Sequence, residues 1–239
     1  MKALISCLVV AALLGLPAEV RAQTPPSSGR TAASAAPPPP LSGVYIRGKG
    51  GGLGDIPKAP FTPRGAEVHK NAPSLGLDTG PSSRCLPPGI TFLMLIPYAF
   101  EIIQIPGRVL TYHEFGNYVR QIFTDGRDHG EAYPTWLGHS IGRYEGDTLV
   151  VDTVGFNGKG WLDTTGVQAS DALHAVERFR RTTAGLEYSI TVEDPKMFTR
   201  PFTVEHTFTE AKNFNIQEFG CLDNNMYLGS PGMQIQGNK

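Results

Sequence analysis

From residue 92 onward the chain is a succession of short β-branched and aromatic runs, each closed by turn residues, and this rhythm restricts the fold more than any other feature. The runs occupy 92–96, 100–105, 109–115, 119–124, 140–144, 148–154, 174–182, 186–193, 203–209 and 215–221. Between them stand Pro106-Gly107, Gly116-Asn117, Asp125-Gly126, Glu145-Gly146-Asp147, Ala184-Gly185 and Asp194-Pro195. Glycine, asparagine and aspartate tolerate the positive φ of tight turns, and proline presets the first turn position. No helix-strand alternation of the βαβ kind occurs. The pattern therefore predicts an all-β domain, either an antiparallel up-and-down barrel of lipocalin-like architecture or a β-sandwich. The long interruption at 155–173 has room for a short helix or a lid.

Alternation assigns faces. In Leu186-Glu187-Tyr188-Ser189-Ile190-Thr191-Val192-Glu193 every second residue is apolar, so one face is covered and the other meets water. By the same period Phe202, Val204, His206 and Phe208 share a face, and Glu177 lies with Ala175 and Phe179. A histidine and a glutamate on otherwise apolar faces are the informative positions, because a covered polar group needs a partner.

With Gly146-Asp147 as a two-residue turn, Glu145 faces Thr148, Arg143 faces Val150, Ile141 faces Asp152 and His139 faces Val154. One face of this hairpin then carries His139, Arg143, Glu145 and Asp152, and the other carries Tyr144, Leu149, Val151 and Thr153. Such a set is either a solvated face with Arg143 paired to a carboxylate, or the polar part of a site. His139 or His206 could serve there as a general base and Arg143 could stabilise negative charge. Trp136, Tyr144 and Trp161, with Tyr133 and Phe156 nearby, could line a pocket for an apolar or aromatic ligand or simply fill the core.

Gly138-His139-Ser140-Ile141-Gly142 matches the G-x-S-x-G pattern of a serine nucleophile, and Asp163, Asp171 or Asp194 followed by His206 would complete a triad in chain order. That motif works at a sharp turn from a buried strand into a helix. Here Tyr133-Pro134-Thr135-Trp136-Leu137 precedes it and a hairpin follows it, so a hydrolase using Ser140 is an alternative reading. The histidines show no H-x-H, H-x-x-x-H or H-E-x-x-H spacing. A divalent metal would have to be assembled from separate strands, with His139, His206 and Glu177 as ligands, and no other cofactor has a motif.

The amino-terminal region has a different texture. Residues 1–22 comprise a short basic start, an apolar stretch at 3–16 and Val20-Arg21-Ala22, the pattern of a cleaved signal peptide ending before Gln23. Residues 23–42, rich in Pro, Ala and Ser, read as a flexible spacer. Residues 43–84 read as an extended Gly-rich segment in which Val44, Tyr45, Ile46 and Phe61 could pack on the domain. The folded domain is expected at 85–225, followed by a tail at 226–239. Cleavage would remove Cys7 and leave Cys85 and Cys221, which in a periplasmic or secreted protein are expected to bond. Such a bridge contributes about 4–5 kcal/mol on the chain-entropy model. A formal net charge of −1 offers no basic face for nucleic acid and no polybasic membrane patch, and no later apolar run reaches membrane-spanning length.

Several stretches carry a resemblance: Cys85-Leu86-Pro87-Pro88-Gly89, IFTDGRDH at 122–129, PTWLGHSIGRYEGDTLVVDTVGFN at 134–157, LHAVERFRR at 173–181 and VEDPKMFTRPFT at 192–203. Together they resemble a group of secreted bacterial proteins marked by a G-H-S-I-G-R-aromatic-E-G-D-T-L-V-V-D-T hairpin. Tyr144 stands where tryptophan is the associated residue. The resemblance implies a secreted β-rich domain and brings no reaction with it. The leading reading is a barrel that binds, or acts on, a small apolar or aromatic molecule through the polar groups of the 139–154 hairpin. The alternatives are the Ser140 hydrolase and a non-catalytic module of the cell envelope.

Overall fold

The computed structural model describes residues 40–48, 56–72 and 80–221. The expected signal peptide, nearly all of the spacer, most of the glycine run near 50 and the tail at 226–239 lie outside the described residues. Nine strands close into a barrel in chain order: β1 (Gly43–Arg47), β2 (Phe100–Ile105), β3 (Arg108–His113), β4 (Tyr118–Phe123), β5 (His139–Glu145), β6 (Thr148–Val154), β7 (His174–Thr182), β8 (Gly185–Glu193) and β9 (Phe202–Glu210).

Eight of these strands correspond to runs visible in the sequence. The ninth, β1, comes from the segment read as merely packed on the domain, and it pairs with both β2 and β9 to close the ring. Its recruitment has a geometric consequence. Strand directions cannot alternate all the way around a ring with an odd number of members, so at least one neighbouring pair must be parallel. That pair is β4 and β5, joined in register only at Ile122↔Ser140 and Phe123↔Ile141. A parallel pair needs a long crossover, and residues 124–138 supply it. The expected wholly antiparallel order is corrected at this seam, while every other neighbouring pair is antiparallel.

Two of the expected strands are absent. Two short helices, α1 (Pro63–Asn71) and α2 (Ile90–Leu95), precede β2; residues 92–96 fall in α2, whose residues are all buried, and Arg47 donates to the carbonyl of Leu95 at its end. A short run that is apolar all round reads alike as a buried strand or a buried helix, and Pro97 ends it before two turns are complete. Residues 215–220 form no strand. The expected pairing of Cys85 with Cys221 is present, with an S–S distance of 2.04 Å, and it ties the turn before α2 to the segment that follows β9. The interruption at 155–173 holds no helix; it is irregular chain with bridges at Thr135↔Phe156 and Trp161↔Gln168.

Inside the barrel, Tyr45, Phe100, Ile122, Leu149, Phe179 and Ile190 are fully buried and belong to one continuous core. The hairpin register is the one expected from the Gly146-Asp147 turn: His139↔Val154, Ile141↔Asp152, Arg143↔Val150 and Glu145↔Thr148. His139, Arg143, Glu145 and Asp152 accordingly lie on the outer face, and Ser140, Leu149, Val151 and Thr153 point into the core.

Candidate functional site

The inner face carries a polar network within the apolar core. Arg120, on β4, faces inward beside Ile122 and forks onto Glu177 of β7: Nη1 donates to Oε1 at 2.9 Å and Nη2 donates to Oε2. Its Nε donates to Ser140 Oγ at 3.0 Å and Nη2 reaches Thr153 Oγ1 at 2.9 Å. Tyr188 adds a hydrogen bond to Glu177 Oε1 at 3.0 Å. Burial, with the Glu177 charge beside it, raises the Tyr188 phenol well above its usual range, so it stays a donor. All five side chains are at most 5% exposed. A buried guanidinium is tolerable only when a carboxylate and further acceptors surround it, and that condition is met here.

This network decides what Ser140 does. The Ser140 hydroxyl is occupied by the Arg120 guanidinium and by Thr153 at 3.1 Å, and no histidine is among its partners. The two glycines of the motif have packing reasons of their own. Gly138 has φ +70°, and a Cβ there would lie 2.8 Å from the Val154 carbonyl oxygen; a Cβ on Gly142 would lie 2.9 Å from Ile122 on the neighbouring strand β4. The aspartates considered as triad partners are engaged elsewhere: Asp163 accepts from Thr165 and Val167, Asp194 from Ser170, and Asp171 pairs with Lys196. The pattern G-x-S-x-G thus arises here from barrel packing.

Two histidines also face inward. His113 stacks on Phe100 and bonds Thr111 at 3.1 Å, and burial, aided by the Arg120 charge, pulls its pKa down to about 3. His206 is buried, and no described residue hydrogen-bonds to either of its ring nitrogens. Burial and then the Arg47 charge lower its pKa.

On the outer face a chain of side chains links the 124–138 crossover with β5, β6, β7 and β8. His139 Nδ1 lies 2.8 Å from His129 Nδ1, His129 Nε2 lies 2.8 Å from Asp152 Oδ1, and His174 Nε2 lies 2.9 Å from Asp152 Oδ2. His174 Nδ1 then approaches Glu193 at 3.5 Å. Burial pushes the Asp152 carboxyl up, but the hydrogen bonds from His174 and His129 outweigh it and hold the group below its usual range. His139 is lowered by burial, then by the charges of His129 and Arg127. Phe123 stacks on His139 at 5.3 Å, and the Arg127 guanidinium sits 3.9 Å from the centre of the Phe123 ring.

His139 also lines a groove, which the parallel seam creates. Because β4 and β5 pair over only two residues, their upstream parts diverge, with Val119 and Gln121 on one lip and Thr135, Trp136 and Leu137 on the other. Arg120, Phe123, His139 and Ser140 complete its lining around a volume of about 330 Å³. That is near the lower end for small-molecule sites, roughly 300–1,000 Å³.

The expected site residues are therefore divided. His139 and Asp152 join one chain, whereas Arg143 and Glu145 form an exposed cluster with Arg178 near the turn, where hydrogen bonds from Arg178 and Arg143 lower the Glu145 carboxyl. Glu177 belongs to the inner network and His206 is buried elsewhere on that face, so the metal set of His139, His206 and Glu177 is split by the barrel wall. Among the described residues no group of three or more His, Cys, Asp or Glu is arranged to hold an ion. Trp136 lines the groove, Trp161 is packed with Phe92, Leu93, Ile96 and Phe115, and Tyr144 accepts from Gln104 at 2.6 Å away from the seam.

Arg120 and His129 went unselected in the sequence. Arg120 carried a signal, since it alternates with Tyr118 and Ile122 as Glu177 does with Ala175 and Phe179, which marks two opposite charges aimed inward. His129 sits in the crossover, where no periodicity applies. No protein-family model, curated protein or solved structure matches the chain.

Proposed function

We propose that the protein binds a small apolar or aromatic molecule in the groove at the β4–β5 seam. Val119, Phe123, Trp136 and Leu137 supply the apolar walls and His139 the polar end. The observation that carries this reading is the opening of the seam beside the histidine chain, which sets an apolar cleft against one titratable group. The base of the groove favours a neutral occupant, because the Arg120 charge is already matched by Glu177. We also read the protein as exported, on the strength of its amino-terminal pattern, the Cys85–Cys221 pairing and the resemblance of its hairpin to secreted proteins.

The test is titration with N-phenyl-1-naphthylamine, a neutral fluorophore that brightens in apolar surroundings. Saturable one-site brightening is expected, weakened at least about tenfold by Val119→Arg or Trp136→Ala, which corresponds to losing roughly 1.4 kcal/mol of contact. Val119 is 53% exposed, so its replacement is expected to leave the fold intact, which the unchanged far-UV circular dichroism of the variant checks. Brightening that never saturates, or that both variants leave unchanged, would remove the groove as the site.

A further inference from the structure

The histidine chain has a direction, and the direction selects a ligand class. A carboxylate only accepts hydrogen bonds, so His129 and His174 must each present an N–H at Nε2 to Asp152. In the neutral form of His129, a proton on Nε2 leaves Nδ1 bare. The 2.8 Å contact to His139 Nδ1 is then a hydrogen bond only if His139 carries its own proton on Nδ1. His139 Nε2 is left as a lone-pair acceptor, and no described residue hydrogen-bonds to it, on a side chain that lines the groove. A carboxylate on β6 thus sets, through one intermediate ring, the tautomer of a histidine on β5, in the way that carboxylates orient imidazoles in other sites.

We propose that the groove takes aromatic molecules bearing a neutral hydroxyl, of the phenol or naphthol class, with the hydroxyl donating to His139 Nε2 and the ring lying among Trp136, Leu137 and Val119. This deepens the groove reading and rests on it. A carboxylate-bearing aromatic is disfavoured, since the bare nitrogen repels an acceptor and Arg120 is saturated by Glu177. An aromatic without a donor fills the same walls but leaves Nε2 unsatisfied. His139 is the ligand-contacting residue, and His129 and Asp152 are positioning residues acting through it.

Acidification should abolish the selectivity, because a protonated His139 presents N–H at Nε2 and cannot accept. The groups bearing on that titration are His129 and Arg127 from the crossover, Asp152 from β6 with His174 of β7 behind it, Glu193 of β8 beyond, and Arg120 from β4. Burial and the Arg127 charge disfavour the His139 imidazolium, while a protonated His129 would itself donate from Nδ1 to His139 Nδ1 and end the acceptor form by reversing the tautomer.

The experiment compares binding of 1-naphthol and its methyl ether, 1-methoxynaphthalene, to the full protein by calorimetry or Trp fluorescence. The expected result is a preference for naphthol of about tenfold near neutral pH, the worth of one hydrogen bond. The preference should vanish in His139→Phe, which keeps the ring against Phe123, and shrink severalfold in Asp152→Ala, while the ether binds all three proteins alike. Whatever preference the wild type and Asp152→Ala show should also fade on acidification, because both keep His139. Equal binding of the two compounds by the wild type, or a preference that survives His139→Phe, overturns the proposal and leaves the groove standing. Failure of both compounds to bind defeats the groove reading as well.

Discussion

Two sets of polar residues lie back to back on the same wall of the barrel, often one residue apart in the chain. Ser140 and Thr153 face in, where they complete the shell around Arg120 and Glu177; His139 and Asp152, their immediate neighbours, face out and form the histidine chain. In the inner set every side chain is matched to another, and both the oxygens of Glu177 are engaged. The outer set is half-exposed and ends on a nitrogen that no described residue hydrogen-bonds. The difference teaches that burial, more than residue type, separates structure from chemistry here: a buried polar group without a partner is costly, so the inner network is complete, whereas a rim group can keep a valence open for a ligand.

The contrast breaks most visibly at the ion pair. Glu177→Gln strands the Arg120 charge in the core and should cost about 3–5 kcal/mol in urea unfolding. A loss below about 1 kcal/mol would mean that water reaches the pair and that inside and outside differ little.

Acid sharpens it next. His113 is held neutral by burial, with a pKa of about 3 against an ordinary 6.5. Between those values the unfolded chain binds a proton that the native protein refuses, so stability is present above about pH 6.5 and declines as pH falls toward 3. The lowered His139, His206 and Asp152 contribute with the same sign. The unfolding free energy should fall by a few kcal/mol across this window, on the order expected for shifts of this size. In NMR the His113 ring should remain neutral at pH 5; titration near the ordinary value would show that the inner face is wet.

The smallest effect belongs to the outer chain. Asp152→Asn should change stability by less than about 1 kcal/mol, because solvent screens half-exposed pairs, even as it disturbs the tautomer of His139. A loss comparable to that of Glu177→Gln would make the histidine chain a structural element instead of a site.

Much of this was legible locally. The alternation in 186–193 and the glycine-aspartate turn at 146–147 set which side chains share a face, because a strand repeats every two residues and a tight turn fixes register. Glu177 and His206 were rightly placed on covered faces. Arg120 was legible in principle by the same alternation, but only as a charge without a known partner. The short run at 92–96 was ambiguous for a different reason: full burial erases the polar side that tells helix from strand.

By itself the sequence determined the all-β class, the faces of most strands, the hairpin register and the pairing of Cys85 with Cys221. These follow from local periodicity, turn chemistry and the expectation that Cys85 and Cys221 pair with each other. The tertiary structure alone decided that β1 would close the ring. With nine strands, parity then required a parallel seam, and the short overlap of β4 and β5 opened it into a groove. It alone brought His129 from the crossover onto Asp152 and His139, and Arg120 onto Glu177. Ring closure and contacts between distant segments depend on the whole chain's path, and no window of neighbouring residues carries that information.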